Sequence, residues 1–221
     1  MLEVFARQSR PDPRNAGYTG ERLLNLFLRP SDAAQQAVII GSSGLVEVCD
    51  LGEPVRGVIS RGALIYAVAG DTVYKITNGV PSSVGTVSSD GDLYMAENGD
   101  EVAIVTDDTY YICDGVTTTE YATGAVNKPK CVTYQDGYFV VTGRSAGRGD
   151  AITISALDDG TTFDSLDFVF AENAPDAIRG CISDHGELWI FGTKTVELFY
   201  NSGAVDFPFS RNSGALMEHG C

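Results

Sequence analysis

Val55-Arg56-Gly57-Val58-Ile59-Ser60-Arg61-Gly62 returns, altered but recognisable, as Ile178-Arg179-Gly180-Cys181-Ile182-Ser183-Asp184-His185-Gly186. Each copy is followed by two short runs rich in β-branched and aromatic residues, 63–69 with 71–77 and 187–191 with 193–200. A related pair lies between them: Glu101-Val102-Ala103-Ile104-Val105, then Asp108-Thr109-Tyr110-Tyr111-Ile112-Cys113. Aligned on Thr72, Thr109 and Thr195, the first step is about 37 residues and the second equals two steps of about 43. A strand-only unit that repeats at about 40 residues is the sequence sign of β-propeller blades. The expected fold is all-β and β-propeller-like, with antiparallel blades of about 40 residues.

Punctuation between the runs supports this. Turn signals recur at Gly70-Asp71, Asn78-Gly79, Asp90-Gly91, Asn98-Gly99-Asp100, Asp107-Asp108 and Asp114-Gly115. A spacing of about ten residues between them is that of antiparallel hairpins. Residues 143–150 read as a long glycine-rich loop, and His185 as a turn residue standing where the first copy has Arg61. Further strands are expected within 21–28, 33–40 and 45–49. Residues 1–30, with Pro11, Pro13, Gly17 and Gly20 in the first twenty, read as an extended N-terminal arm, and 31–221 as the propeller. The repeats amount to about three or four blades, whereas a ring usually needs at least four and often shares one between the chain ends. The propeller is therefore expected to be incomplete here, as the N-terminal portion of a longer product.

Thirty acidic residues face fifteen basic ones, for a net charge of −15. Such a surface repels nucleic acid and anionic membrane. The charge is uneven: Arg7, Arg10, Arg14, Arg22 and Arg29 outnumber Glu3, Asp12 and Glu21 in the arm, so the remainder is more acidic than the whole. An Arg-rich arm before an acidic body is suited to reach a neighbouring subunit, because guanidinium groups pair bidentately with carboxylates. Arg7, Arg10, Arg14 and Arg22 are candidate interaction residues. So are Arg144, Arg148 and Asp150 in the glycine-rich segment.

Five cysteines at irregular spacing include no Cys-x-x-Cys pair, and Cys113, Cys131 and Cys181 lie in or beside apolar runs. They read as small buried hydrophobes. The opening Met1-Leu2-Glu3-Val4-Phe5-Ala6-Arg7 has no apolar leader core, and no run reaches membrane-spanning length. A protein made in a reducing cytoplasm and not inserted in membrane is the expectation.

Chemistry is sparsely represented. The two histidines, His185 and His219, do not cluster with cysteines at zinc-ligand spacing, and no Gly-x-Ser-x-Gly occurs. The acidic turns Asp107-Asp108 and Asp158-Asp159-Gly160 lack the spaced ligands of a calcium loop. Asp and Asn fill hairpin turns for backbone reasons alone. Residues 143–150 have neither the Lys nor the following helix of a phosphate cradle. Arg148-Gly149-Asp150 spells an adhesion tripeptide, which chance alone supplies. No catalytic, cofactor-binding or metal residue is assigned, and no cofactor is expected.

Several stretches resemble the packaged-DNA stabilisation, or tail hub, proteins of short-tailed bacteriophages. They are 15–25, 60–87 and 216–221 and, most specifically, Ile178-Arg179-Gly180 with Trp189-Ile190-Phe191-Gly192 and Thr195-Val196-Glu197-Leu198-Phe199-Tyr200. The resemblance implies a virion protein, longer than this chain, that forms a sixfold ring below the portal and its adaptor. That ring extends the DNA channel, retains the packaged genome without sequence-specific binding, and carries the tail needle or fibres. On this reading the acids after residue 30 are expected to line the channel or face DNA. Two other classes compete. A hydrolytic propeller would bring carboxylates such as Asp107, Asp108 and Asp184 together. A lectin-like propeller would repeat aromatic and polar ligand residues in every blade, whereas the repeated residues here are turn and core positions.

Overall fold

The computed structural model describes residues 26–30, 37–41, 46–146, 149–170 and 177–221. The chain divides into two compact units, Met1–Val48 and Cys49–Cys221. In the first, β1 (Leu26–Pro30) pairs antiparallel with β2 (Ala37–Gly41), and the boundary expected at residue 30 falls inside this unit. The strand expected over 45–49 is not formed, since Val46–Cys49 are irregular.

The second unit is four four-stranded antiparallel sheets, each built from consecutive strands. Blade 1 is β3 (Val55–Arg61), β4 (Leu64–Ala69), β5 (Thr72–Thr77) and β6 (Val80–Thr86). Blade 2 is β7 (Leu93–Glu97), β8 (Val102–Thr106), β9 (Thr109–Cys113) and β10 (Thr118–Tyr121). Blade 3 is β11 (Val126–Gln135), β12 (Tyr138–Ser145), β13 (Gly149–Ala156) and β14 (Asp159–Phe170). Blade 4 is β15 (Ile178–Asp184), β16 (Glu187–Gly192), β17 (Val196–Asn201) and β18 (Phe209–Arg211). The all-β, propeller-like expectation holds.

Period-two alternation decides where the core lies. Val102 and Ile104 of β8 point towards blade 1, where they meet Tyr66, Val68 and Val73. Ala103 and Val105 of the same strand point the other way, against Tyr110, Val132, Phe139 and Val141. Val140, Ile152 and Ile154 of blade 3 pack with Ile178, Leu188, Ile190 and Phe199 of blade 4. The core is thus three layers between four blades, and burying a side chain such as Ile104 or Phe139 contributes about 2 kcal/mol. Inner blades are covered on both faces, so β8 is buried throughout, whereas β16 at the end alternates.

The first strands β3, β7, β11 and β15 touch in succession, which sets them along the inside of the array. Among the described residues no comparable contact returns from β15 to β3, so the blades form an open arc. The sharp hairpins place Asn78, Asp107, Asp108, Asp136, Asp158 and His185 at φ of +49° to +58°. Asn and Asp tolerate that left-handed conformation better than other side chains. Asp107, Asp108, Asp136 and Asp158 therefore sit where a turn requires that conformation.

Two local readings are corrected. Residues 143–150 are mostly strand: Gly143–Ser145 close β12 and Gly149–Asp150 open β13. Gly143 is there because β11 bulges against it, and an added Cβ would stand 2.2 Å from the Lys128 carbonyl oxygen. In the blade 4 turn, Asp184 rather than His185 is the counterpart of Arg61, since Asp184 pairs with Glu187 as Arg61 pairs with Leu64. His185 occupies the left-handed position that Gly62 fills in the first copy.

Candidate interaction surfaces

An up-and-down blade sends the turns after its first and third strands to one end, and the turn after its second strand to the other. At the first end the exposed acids are Asp100, Asp114, Asp136, Asp158, Asp184 and Asp206. Among the described residues, Arg61 and Lys75 are the Lys and Arg residues that reach it. Arg61 donates to the Asp100 carbonyl and its guanidinium carbon lies 4.8 Å from the centroid of the Tyr66 ring. Lys75 Nζ donates to the Gly115 carbonyl at 2.6 Å. Both cations are thus engaged with backbone, and the carboxylates around them face solvent. Asp114 is held below the usual carboxylate range by the N–H groups of Thr117 and Val116, each at 2.7 Å. The Tyr134 hydroxyl donates to Asp158 at 2.6 Å, and its pKa is pushed up to about 12 by burial and then by that bond.

The inner wall has the opposite balance. Arg56, Arg61, Lys128, Lys130 and Arg179 lie on β3, β11 and β15, against Glu97 on β7 and Asp184 on β15. The inner strands therefore hold few of the acids. Exposed acids stand at both turn ends, with Asp71, Asp90, Asp92, Asp107 and Asp108 at the second.

The second end is mixed in charge. A cavity of about 650 Å³ opens there between blades 2, 3 and 4, lined among others by Asp92, Tyr94, Asp107, Asp108, Lys130 and Arg179. Asp107 accepts the Ser88 hydroxyl at 2.8 Å, and Asp108 pairs with Lys128 at 3.1 Å. Asp184 lies at the opposite end of β15, so the three carboxylates of a hydrolytic reading are not brought together. Among the described residues no group of three or more His, Cys, Asp or Glu is placed to hold a metal.

Of the sequence candidates, Arg7, Arg10, Arg14, Arg22 and Arg148 lie outside the described residues. Arg144 is exposed on β12, opposite Lys128 on one side and Asp150 on the other. Asp150 has a side chain only 5% exposed, accepts the Ile178 N–H at 2.8 Å and lies 3.8 Å from Lys130. It joins blade 3 to blade 4 and is committed within the fold. Sequence reasoning missed a buried ion pair, Glu197 to Arg211 at 2.7 Å, with Glu197 only 3% exposed. The available signal was a lone charge in the apolar run Val196-Glu197-Leu198-Phe199, which cannot be buried without a partner.

Four up-and-down blades stacked through inter-blade cores define a β-propeller protein. The chain belongs to the family described as bacteriophage P22 Gp10, beta-propeller, whose model matches residues 11–221. That places it among phage structural proteins. No curated protein matches it. Among solved structures it is similar to the WD40 domain of Toxoplasma gondii coronin, at 16% identity and TM-score 0.55, covering 84% of this chain and 55% of that one. The computationally designed Ika8 protein matches at 12% identity and TM-score 0.53, over 78% of this chain and 52% of its own length. The designed Ika4 protein matches at 10% identity and TM-score 0.52, over 71% and 99%. At such identities these likenesses concern the fold alone. The chain spans about half the length of the coronin domain and of Ika8.

Proposed function

We propose that this chain is part of a tail hub subunit of a short-tailed phage, working as a structural component rather than an enzyme. Six copies form a ring below the portal and adaptor, prolong the DNA channel, retain the packaged genome and carry the needle or fibres. Assembly occurs in the host cytoplasm and the product resides in the virion. The observation that carries this reading is the family match over residues 11–221. The charge distribution supports it: an exposed carboxylate end with both of its Lys and Arg side chains engaged repels phosphates, so DNA passing it is not held. Basic residues on the inner strands give the wall a different role, contact with the acidic body of a neighbour or with adaptor. The arm residues Arg7, Arg10, Arg14 and Arg22 would make a contact of the same kind.

Quantitative peptide mass spectrometry of purified virions tests the reading. A fixed ratio of this protein to portal, near one to two, is the expected result. Absence from the particle would overturn it.

A further inference from the structure

The first strands of blades 3 and 4 bring two cysteines together. Cys131 Sγ accepts the Cys181 N–H at 3.3 Å and lies 3.4 Å from the Cys181 carbonyl oxygen. Thr142 Oγ1 reaches the Cys181 sulfur at 3.8 Å. Cys131 is 1% exposed. Their strands belong to different blades, so a bond between them would lock one blade to the next. The contact also separates their acidities. The neighbouring Cys181 side chain holds the Cys131 thiol below the usual range, while Cys131 and then burial push Cys181 above it. The remaining cysteines differ: Cys113 is buried in the core between blades 1 and 2, Cys49 is half-buried, and Cys221 is exposed.

We propose that Cys131 and Cys181 are a modification site, a dithiol that closes to an inter-blade disulfide when the protein meets a small disulfide oxidant of the glutathione class. The Cys131 thiolate attacks one sulfur of the oxidant, forming a mixed disulfide and releasing one thiolate. Cys181 then gives up its proton to solvent and its sulfur attacks Cys131 Sγ. The Sγ–Sγ bond forms and the second thiolate leaves. Two protein thiols are oxidised by two electrons, and one oxidant disulfide is reduced to two thiols. Synthesis in a reducing cell leaves the joint open to adjustment during assembly, and a particle released from that cell meets the conditions that fix it. This inference goes beyond the hub reading: the pairing stands on the geometry, and its timing rests on that reading.

The test uses the full chain with excess oxidised glutathione, followed by alkylation, digestion and mass spectrometry without reduction. A linked peptide pair containing Cys131 and Cys181, about 2 Da lighter than the free pair, is the expected product. The bond closes a loop of about 50 residues, so the unfolding temperature rises by about 10 °C and falls back on adding dithiothreitol. Cys181→Ser abolishes the link and the shift, and Cys221→Ser leaves both. Glutathione found on Cys221 while Cys131 and Cys181 remain free would count against the proposal. Refolding from urea in a glutathione buffer removes any barrier of access, and free thiols at both positions there would overturn it.

Discussion

The two copies of the opening motif carry the same residues in different circumstances. Arg56 donates to the carbonyls of Gly70, Ser88, Asp90 and Gly91 at 3.0, 2.5, 2.7 and 2.9 Å, and to Thr106 Oγ1 at 2.7 Å. Those groups belong to blade 1, to the connection into blade 2, and to blade 2 itself. Beside it, a Cβ on Gly57 would stand 2.4 Å from Leu93 Cδ2, so the glycine makes room for the next blade. In blade 4 the counterpart Arg179 is exposed with no hydrogen bond among the described residues, and Gly180 faces open space. Ile59 packs on the core between blades 1 and 2, while Ile182 is 51% exposed. The Arg-Gly pair is a joint to the following blade. Its residues become structural only where that blade is present.

The comparison breaks if Arg56 and Arg179 prove equivalent. Arg56→Ala should destabilise by about 3 kcal/mol, since it strands several carbonyls, and Arg179→Ala by less than about 0.5 kcal/mol, both read from urea unfolding. Blade 4 is braced instead by its own ion pair. Arg211→Ala removes the guanidinium from the buried Glu197 carboxylate, at a cost of about 3 kcal/mol in the same assay. A smaller contrast lies in the glycines. Gly57→Ala should cost about 1–2 kcal/mol by crowding Leu93, whereas Gly180→Ala should be neutral or slightly stabilising.

The smallest effect distinguishes the two turns. The hydrogen bond to Asp184 at 2.7 Å raises the pKa of His185 above its ordinary value, and the first copy has nothing titratable at that place. The stabilisation from this pair is fully present below the unfolded histidine pKa and is lost as pH rises through the folded one. An NMR titration should show the His185 pKa falling in Asp184→Asn. An unchanged value would sever the pair.

Blade architecture was legible because hairpin turns and strand runs are local signals. Thr72 and Thr109 each open the third strand of their blade, and Thr195 stands one residue before it. Blade 3 hid its repeat: its third strand opens with Gly149-Asp150, so residues that extend two strands read as a loop. Electrostatic placement was less legible. The count of acids is in the composition, but the end each one occupies depends on which hairpin its turn closes. Asp150 looked like a loop contact because nothing nearby in sequence reveals that its carboxylate meets Ile178, a residue of the next blade. The partnership of Glu197 with Arg211 was hidden for the same reason.

The order of strands in each sheet follows the order of residues in the chain, from β3 to β18. No blade waits for a distant segment to supply one of its strands. As the polypeptide leaves the ribosome, each stretch of about 40 residues can zip into a meander and lay its apolar face on the one before it. Blade 1, with its clamp at Arg56, is ready before blade 2 is made, and the emerging connection at 88–91 finds its donors already in place. Biosynthesis from the N-terminus thus proceeds in the direction in which the joints close.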